Sequence, residues 1–193
     1  MALDPQDVVY TPDWIAADMV SFFQPSGAIL EPSKGNGVFM QYLPPETDWC
    51  EIAEGKDFYA YNKQVNWIIG NPPYKQFYEF MEHSFKVAKD IVYLLPADKP
   101  FNVFSTVEMI HKHGGIVHAR FYGDGRTVGV PEIHRPATAF HFQRGYRGAM
   151  SFSFCDTAPN KACSGRLDSS AQQSNLFTDG NLPSKARGAT RRR

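Results

Sequence analysis

Residues 65–74 read VNWIIGNPPY, a run of β-forming residues that stops at Asn71-Pro72-Pro73-Tyr74. The run suits a buried parallel strand. The tetrapeptide behind it is stiff, because each Pro fixes its own φ and pushes the preceding residue into extended geometry, leaving Asn71 and Pro72 little freedom. A rigid corner at the carboxyl end of a strand is where an open α/β sheet places its ligands. Such a corner presents the Asn71 amide oxygen, the Pro72 carbonyl and the Tyr74 ring as a preset group. Two acceptors beside an aromatic face suit a planar group that carries an NH2.

Outward from this strand, helix and strand alternate. Thr11-Pro12 before DWIAADMVSFF predicts a helix with a hydroxyl N-cap and Pro at the first helical position, ended by Pro25 to Gly27. Ala28 to Leu30 is a short strand that runs into EPSKGNG, Val38 to Leu43 begins a helix, and Trp49 to Ala53 is a second strand. Residues 54–64 are too brief for a helix plus a strand. Beyond the double proline, Tyr74, Phe77, Tyr78, Met81, Phe85 and Ala88 mark an amphipathic helix. Asp90 to Leu95 is a buried strand, and Phe101 to His111 a helix closed by Gly114-Gly115. Ile116 to Tyr122 and Thr138 to Phe142 follow as strands with no helix between them, joined by GDGRTVGVPEIHRP, which fits a long antiparallel hairpin. The predicted fold is α/β: a Rossmann-like, mostly parallel sheet with helices on both faces and a C-terminal antiparallel hairpin near one edge.

The 193 residues allow one domain of ordinary size, with residues 1–147 as the folded unit and 148–193 as a disordered basic tail ending KARGATRRR. Formal charge is zero, so attraction to nucleic acid has to be local. The 14% aromatic content reads first as core packing. Cys50, Cys155 and Cys163 form no CxxC pair, and MALDPQDVVYTP lacks a charged segment followed by an apolar one. Both features point to a reducing, cytoplasmic setting without export. No apolar run approaches the ~18 residues of a membrane span. No metal is expected.

Several residues near the strand ends carry chemistry. Glu31-Pro32-Ser33-Lys34-Gly35-Asn36-Gly37 follows a strand, and its glycines let backbone approach a ligand. It is neither GxGxxG nor a P-loop, and a plain βα turn would look the same. Glu51, at the second strand's end, can accept both hydroxyls of a ribose, with Glu54 the competing choice. Asp57-Phe58 offers a carboxylate for an exocyclic amine and a ring to flank an adenine.

Together these pieces resemble the S-adenosylmethionine-dependent amino-methyltransferases, specifically the DNA adenine-N6 enzymes, over roughly residues 8–143. NPPY resembles the family's catalytic tetrapeptide, which makes Asn71, Pro72, Pro73 and Tyr74 the catalytic residues, with Asn71 also beside the cofactor. EPSKGNG is similar to the family's cofactor loop, usually written with a small residue where Lys34 sits, and assigns Glu31, Pro32, Ser33, Gly35 and Gly37 to the cofactor. A cation at 34 opposes a sulfonium unless its side chain turns outward. Glu51, Asp57 and Phe58 match the next cofactor motifs. Tyr10-Thr11-Pro12 resembles the N-terminal motif whose Thr helps hold the methionine carboxylate. The motif order is that of the gamma arrangement. The resemblance implies S-adenosylmethionine as cofactor, a seven-stranded sheet whose third strand is vestigial here, and DNA as substrate. It also implies base flipping onto Tyr74, with readout by Arg126, His134 and Arg135 or by a separate recognition or restriction partner. Methylation of cytosine N4, RNA adenine or a protein glutamine stays open, as does a non-catalytic nucleic-acid-binding protein on a decayed methyltransferase scaffold.

Overall fold

The computed structural model describes residues 9–156. The elements run α1 Asp13–Phe23, β1 Ile29–Glu31, β2 Asp48–Trp49, β3 Val65–Gly70, α2 Phe77–Val87, β4 Ala88–Pro96, α3 Phe104–His113, β5 Gly114–Asp124, β6 Pro136–Arg144 and β7 Ser151–Phe154. All seven strands join one sheet in the order β2-β1-β3-β4-β6-β5-β7. Strands β2, β1, β3 and β4 are parallel, β6 is antiparallel to both β4 and β5, and β7 is parallel to β5. This is the Rossmann-like, mostly parallel sheet with a closing hairpin that the alternation predicts.

Side-chain alternation along β4 builds two cores. Ile91, Tyr93 and Leu95 join Phe77, Phe80, Met81 and Phe85 of α2 and Met109 and Ile110 of α3 on one face. Val92 and Leu94 join Ile15, Ala16 and Met19 of α1 on the other. The Gly125 to Arg135 connection is anchored as well: Val128, Val130 and Ile133 are buried in the α1-side core.

The structure shifts several predicted elements. Pro12, not Thr11, occupies the N-cap of α1, and its carbonyl accepts from Ile15 and Ala16 while no side chain caps the helix. Helix α1 stops at a left-handed Gln24, before Pro25. The expected helix from Val38 is one 3-10 turn, Phe39–Gln41. The second strand is shorter than expected: after Trp49 the chain makes a lone bridge, Glu51 to Lys56, and a 3-10 turn, Ile52–Glu54. Tyr74–Gln76 is likewise a 3-10 turn ahead of α2. Gly114 is extended and opens β5 instead of capping α3 in a left-handed turn. Strand β6 lies inside the sheet, with β5 and β7 beyond it.

The largest correction concerns the boundary at 147. Ser151-Phe152-Ser153-Phe154 is a sheet strand, and His118 of β5 reaches Ser151 Oγ through Nδ1 (2.7 Å) and Ser153 Oγ through Nε2 (2.8 Å). The folded unit therefore extends to at least Phe154. The remainder of the expected tail, with Cys163, lies outside the described residues. The seventh strand thus comes from beyond the hairpin; none forms between Glu51 and Val65.

A polar pin fixes α1 over the hairpin end of the sheet. Asp18 accepts from Arg120 Nε at 2.6 Å and Nη2 at 2.8 Å, and from the Tyr122 hydroxyl at 2.8 Å. Burial alone would raise the Asp18 carboxyl, but the Arg120 and Tyr122 hydrogen bonds prevail and hold it below its ordinary range. Breaking a mostly buried pair by removing one partner leaves an uncompensated charge, so Asp18→Ala is expected to cost about 2–3 kcal/mol in urea unfolding. The Asp18 contribution is present above the ordinary carboxyl value of 3.8 and lost as pH falls below it. Part of the wild-type acid limb should therefore be missing in the variant, and a variant with unchanged midpoint and acid limb would contradict the pin.

Candidate active site

The carboxyl ends of β1, β2 and β3 surround a cavity of about 340 Å³, within the range of roughly 300–1,000 Å³ typical of small-molecule sites. Its lining joins the N-terminal arm (Tyr10, Thr11), the glycine loop (Pro32, Ser33, Gly35), the β2 end (Glu51), the following turn (Asp57, Phe58) and the double-proline corner (Asn71, Pro72, Pro73). Val9 and Asn71, 62 residues apart in sequence, thus meet at one space.

Asn71 is the centre of the arrangement. Its Nδ2 donates to the Val9 carbonyl at 3.1 Å, and its backbone carbonyl accepts from Ser33 Oγ at 2.9 Å. Because the Val9 carbonyl can only accept, the amide nitrogen is the atom facing it. Oδ1 is left buried with no hydrogen-bond partner among the described residues. An orphaned buried acceptor costs roughly 1–3 kcal/mol, and a ligand donor is one thing that would satisfy it. Pro72 is buried and Pro73 partly so; Pro73 holds φ −64° and ψ 115° ahead of the Tyr74 turn.

The glycine loop is fastened at both ends. Gly35 and Gly37 take φ values of 53° and 77°, a region that glycine enters without the Cβ penalty. Gly35 N donates to Glu51 Oε2 at 2.7 Å, while Glu51 Oε1 accepts from Ala53 N at 3.1 Å. Each Glu51 oxygen keeps a further lone pair, so the carboxylate can hold the loop and still accept ligand hydroxyls. Asp57 accepts from Tyr59 N at 2.9 Å. The Phe58 ring lines the cavity and is buried against Phe80, 4.4 Å between centroids. Lys34 and Glu54 both line the cavity, and the Lys34 ammonium pairs with the Glu54 carboxylate and lies over Trp49 at 3.9 Å from the ring centroid. The pairing offsets the positive charge at this position.

Three expected site residues sit elsewhere. Tyr74 is partly buried against both cores and is not part of the cavity lining, so its ring is not presented as a free platform. Gly37 shapes the loop from outside the cavity. Glu31 is fully buried behind the loop: Oε1 accepts from Ser33 N at 3.2 Å, and Oε2 has no partner among the described residues. Gly70 has no room for a side chain, since a Cβ there would lie 2.4 Å from Glu31 Oε1. Arg126, His134 and Arg135 are exposed on the β5–β6 connection, at the same end of the sheet as Asn71. Residues that sequence reasoning missed are Val9, whose role is a backbone carbonyl and leaves no side-chain signal, and Gln76, which accepts from the Tyr59 hydroxyl at 3.3 Å across the cavity rim. Burial raises the Tyr59 hydroxyl to about 12 and the Cys50 thiol to about 11, so both stay protonated near neutral pH.

No family model matches this sequence, and no curated protein matches it. Solved structures do. A provisionally named class I S-adenosylmethionine-dependent methyltransferase from Listeria monocytogenes is 12% identical with a TM-score of 0.55, over 83% of this chain and 70% of its own. A type I restriction-modification methyltransferase subunit from Streptococcus thermophilus is 13% identical, TM-score 0.53, over 76% of this chain and 47% of its own. This chain therefore spans about half the length of that subunit. A provisionally named RNA methyltransferase from Pyrococcus horikoshii is 14% identical, TM-score 0.50, over 71% and 87%. At such identities the likeness is one of fold: the chain has the fold of class I S-adenosylmethionine-dependent methyltransferases. Among the described residues no helix is long and apolar enough to cross a membrane.

Glu31 also gives a pH signature. Burial raises its carboxyl from 4.5 to about 8, with Glu51 adding to the shift, so the group is neutral at pH 7. A raised acid favours folding below pH 4.5 and loses that contribution as pH climbs to about 8. Denaturant midpoints of the wild type, measured against Glu31→Gln across this window, should fall by an amount the neutral variant does not show, on the order of a few kcal/mol. Parallel profiles would contradict a buried neutral acid.

Proposed function

We propose that the protein is an S-adenosylmethionine-dependent methyltransferase that modifies the N6 amine of adenine in nucleic acid, with DNA as the first candidate. The observation that carries this reading is the buried, unpartnered Asn71 Oδ1 at the edge of a cavity built from the glycine loop. The residues present fit the cofactor. Thr11 and the loop amides suit a methionine carboxylate, Glu51 the ribose hydroxyls, Asp57 an adenine amine and Phe58 an adenine face. S-adenosylmethionine, when bound, supplies an electrophilic methyl group and departs as S-adenosylhomocysteine.

The chain's own part is to make a poor nucleophile competent. The lone pair of an exocyclic adenine nitrogen is delocalised into its ring. Asn71 Oδ1 and the Pro72 carbonyl each accept one N–H of that amine, which favours a tetrahedral nitrogen with a localised lone pair. The same oxygens stabilise the positive charge that develops there, which is electrostatic preorganisation with the sign opposite to an oxyanion hole. The prolines, Val9 and Ser33 hold these acceptors in place, so their reorientation costs nothing at the moment of reaction. Cys50, buried and protonated, takes no part.

Tritiated cofactor incubated with DNA, RNA or protein extract tests the reading. Label should enter nucleic acid as N6-methyladenine. Asn71→Ala should reduce transfer about 100- to 1,000-fold, the effect of removing one preorganised group. The melting shift produced by S-adenosylhomocysteine should shrink far less than transfer does, because Glu51 and Asp57 are untouched. Label confined to protein, or no cofactor-dependent melting shift in the wild type, would overturn it.

A further inference from the structure

Loop 97–103 leaves β4 at the sheet end where Asn71 leaves β3, and it continues into α3 at Phe104. This short segment exposes three apolar side chains: Phe104 is 79% exposed, Val103 52% and Phe101 50%. The loop is held firmly. Ala97 N donates to the Pro136 carbonyl at 3.0 Å, and Phe101 packs edge-on against Phe140 at 6.1 Å. Ring contacts then continue from Phe140 to Phe142 and from Phe142 to Phe77, beside the turn that carries Tyr74. Exposed rings on an anchored loop form a surface whose apolar area is available without any unfolding.

The charges around this surface disfavour a duplex. A protein that grips double-stranded nucleic acid neutralises several phosphates with Lys and Arg. Here each arginine of the neighbouring connection already faces a carboxylate: Arg126 lies 3.7 Å from Asp124, and Arg135 lies 3.5 Å from Asp98. Glu132 lies on the same connection. Lys99 sits over Phe77, 6.0 Å from its ring centroid. The surface carries mixed charge and little net attraction for any phosphate backbone, so binding here has to come from its rings, whose faces only unpaired bases can stack on. Tyr74, largely packed inward, does not supply that stacking.

Building on the methyltransferase reading, we propose that residues 101–104 form a stacking platform for an unpaired stretch of nucleic acid, so that the acceptor base is presented single-stranded. Phe104 and Phe101 are the stacking rings, and Val103 widens the apolar contact. An unpaired acceptor also avoids the cost of flipping a base from a duplex, a few kcal/mol.

Fluorescence anisotropy of the full chain with one labelled adenine-containing oligonucleotide, single-stranded and as its duplex at about 0.15 M salt, tests the proposal. The single strand should bind at least about tenfold more tightly. Phe104→Ala should weaken it about 5- to 150-fold, matching loss of one base–aromatic stack, and Phe104→Trp should retain it. Melting temperature and S-adenosylhomocysteine affinity should not change in either variant. Equal or tighter duplex binding, or a Phe104→Ala protein with unaltered oligonucleotide affinity, overturns the platform; the latter is what a protein-docking role for these side chains would give. Strand binding that depends on Phe104, in a protein that transfers no methyl group, supports the platform and counts against the transfer reading alone.

Discussion

The site depends on how one amide is held. Asn71 has two groups that could satisfy each other's neighbours in several ways, yet the Val9 carbonyl takes its NH2 and Ser33 takes its backbone carbonyl. What is left over is a single buried oxygen on a residue that lines the cavity. Two prolines remove the backbone freedom that would let this oxygen find another donor. The unmet hydrogen bond is costly in a folded core and useful only if a ligand N–H completes it. The N-terminal arm, the glycine loop and the end of β3 therefore form one unit, and moving any of them moves the acceptor.

The rest of the fold serves to hold those pieces at one sheet end. Helix α1 carries Thr11 and the arm to the cavity, and its position is set by Ile15 and Met19 in the core and by the Asp18 pin to Arg120 and Tyr122. Glu51 closes the glycine loop onto the end of β2, so one carboxylate both lines the cavity and fixes the loop beside it. Gly70 lets β3 approach Glu31, whose buried carboxyl receives the Ser33 amide. Burial, hydrogen bonding and chain stiffness act on the same few residues.

What the sequence made legible was local. Double proline after a strand, glycines after a strand, and alternation of helix with strand each have effects within a few residues, and the structure places them as the pattern predicts except after Val38, where the helix is a single 3-10 turn. Contacts that span the chain were not legible. Val9 reaches Asn71 through a carbonyl, which every residue has, and Lys34 finds Glu54 and Trp49 only once the loop is folded. Thr11-Pro12 has the chemistry of an N-cap, but the helix begins one residue later and frees Thr11 for the cavity. Ser151 to Phe154 has the alternation of a strand inside a Ser-rich context, and its partner strand is over thirty residues earlier. Tyr74 was read from its motif; packing against both cores decides its orientation instead.

A crystal structure of the protein grown with saturating S-adenosylhomocysteine would show whether the Asn71 oxygen meets a ligand. Ligand density should run from Thr11 past Gly35 to Asp57, with the Asn71 NH2 still on the Val9 carbonyl and Oδ1 open toward the ligand's sulfur end. An empty cavity, or an Asn71 amide turned so that its nitrogen faces the ligand, would contradict the role given to Asn71.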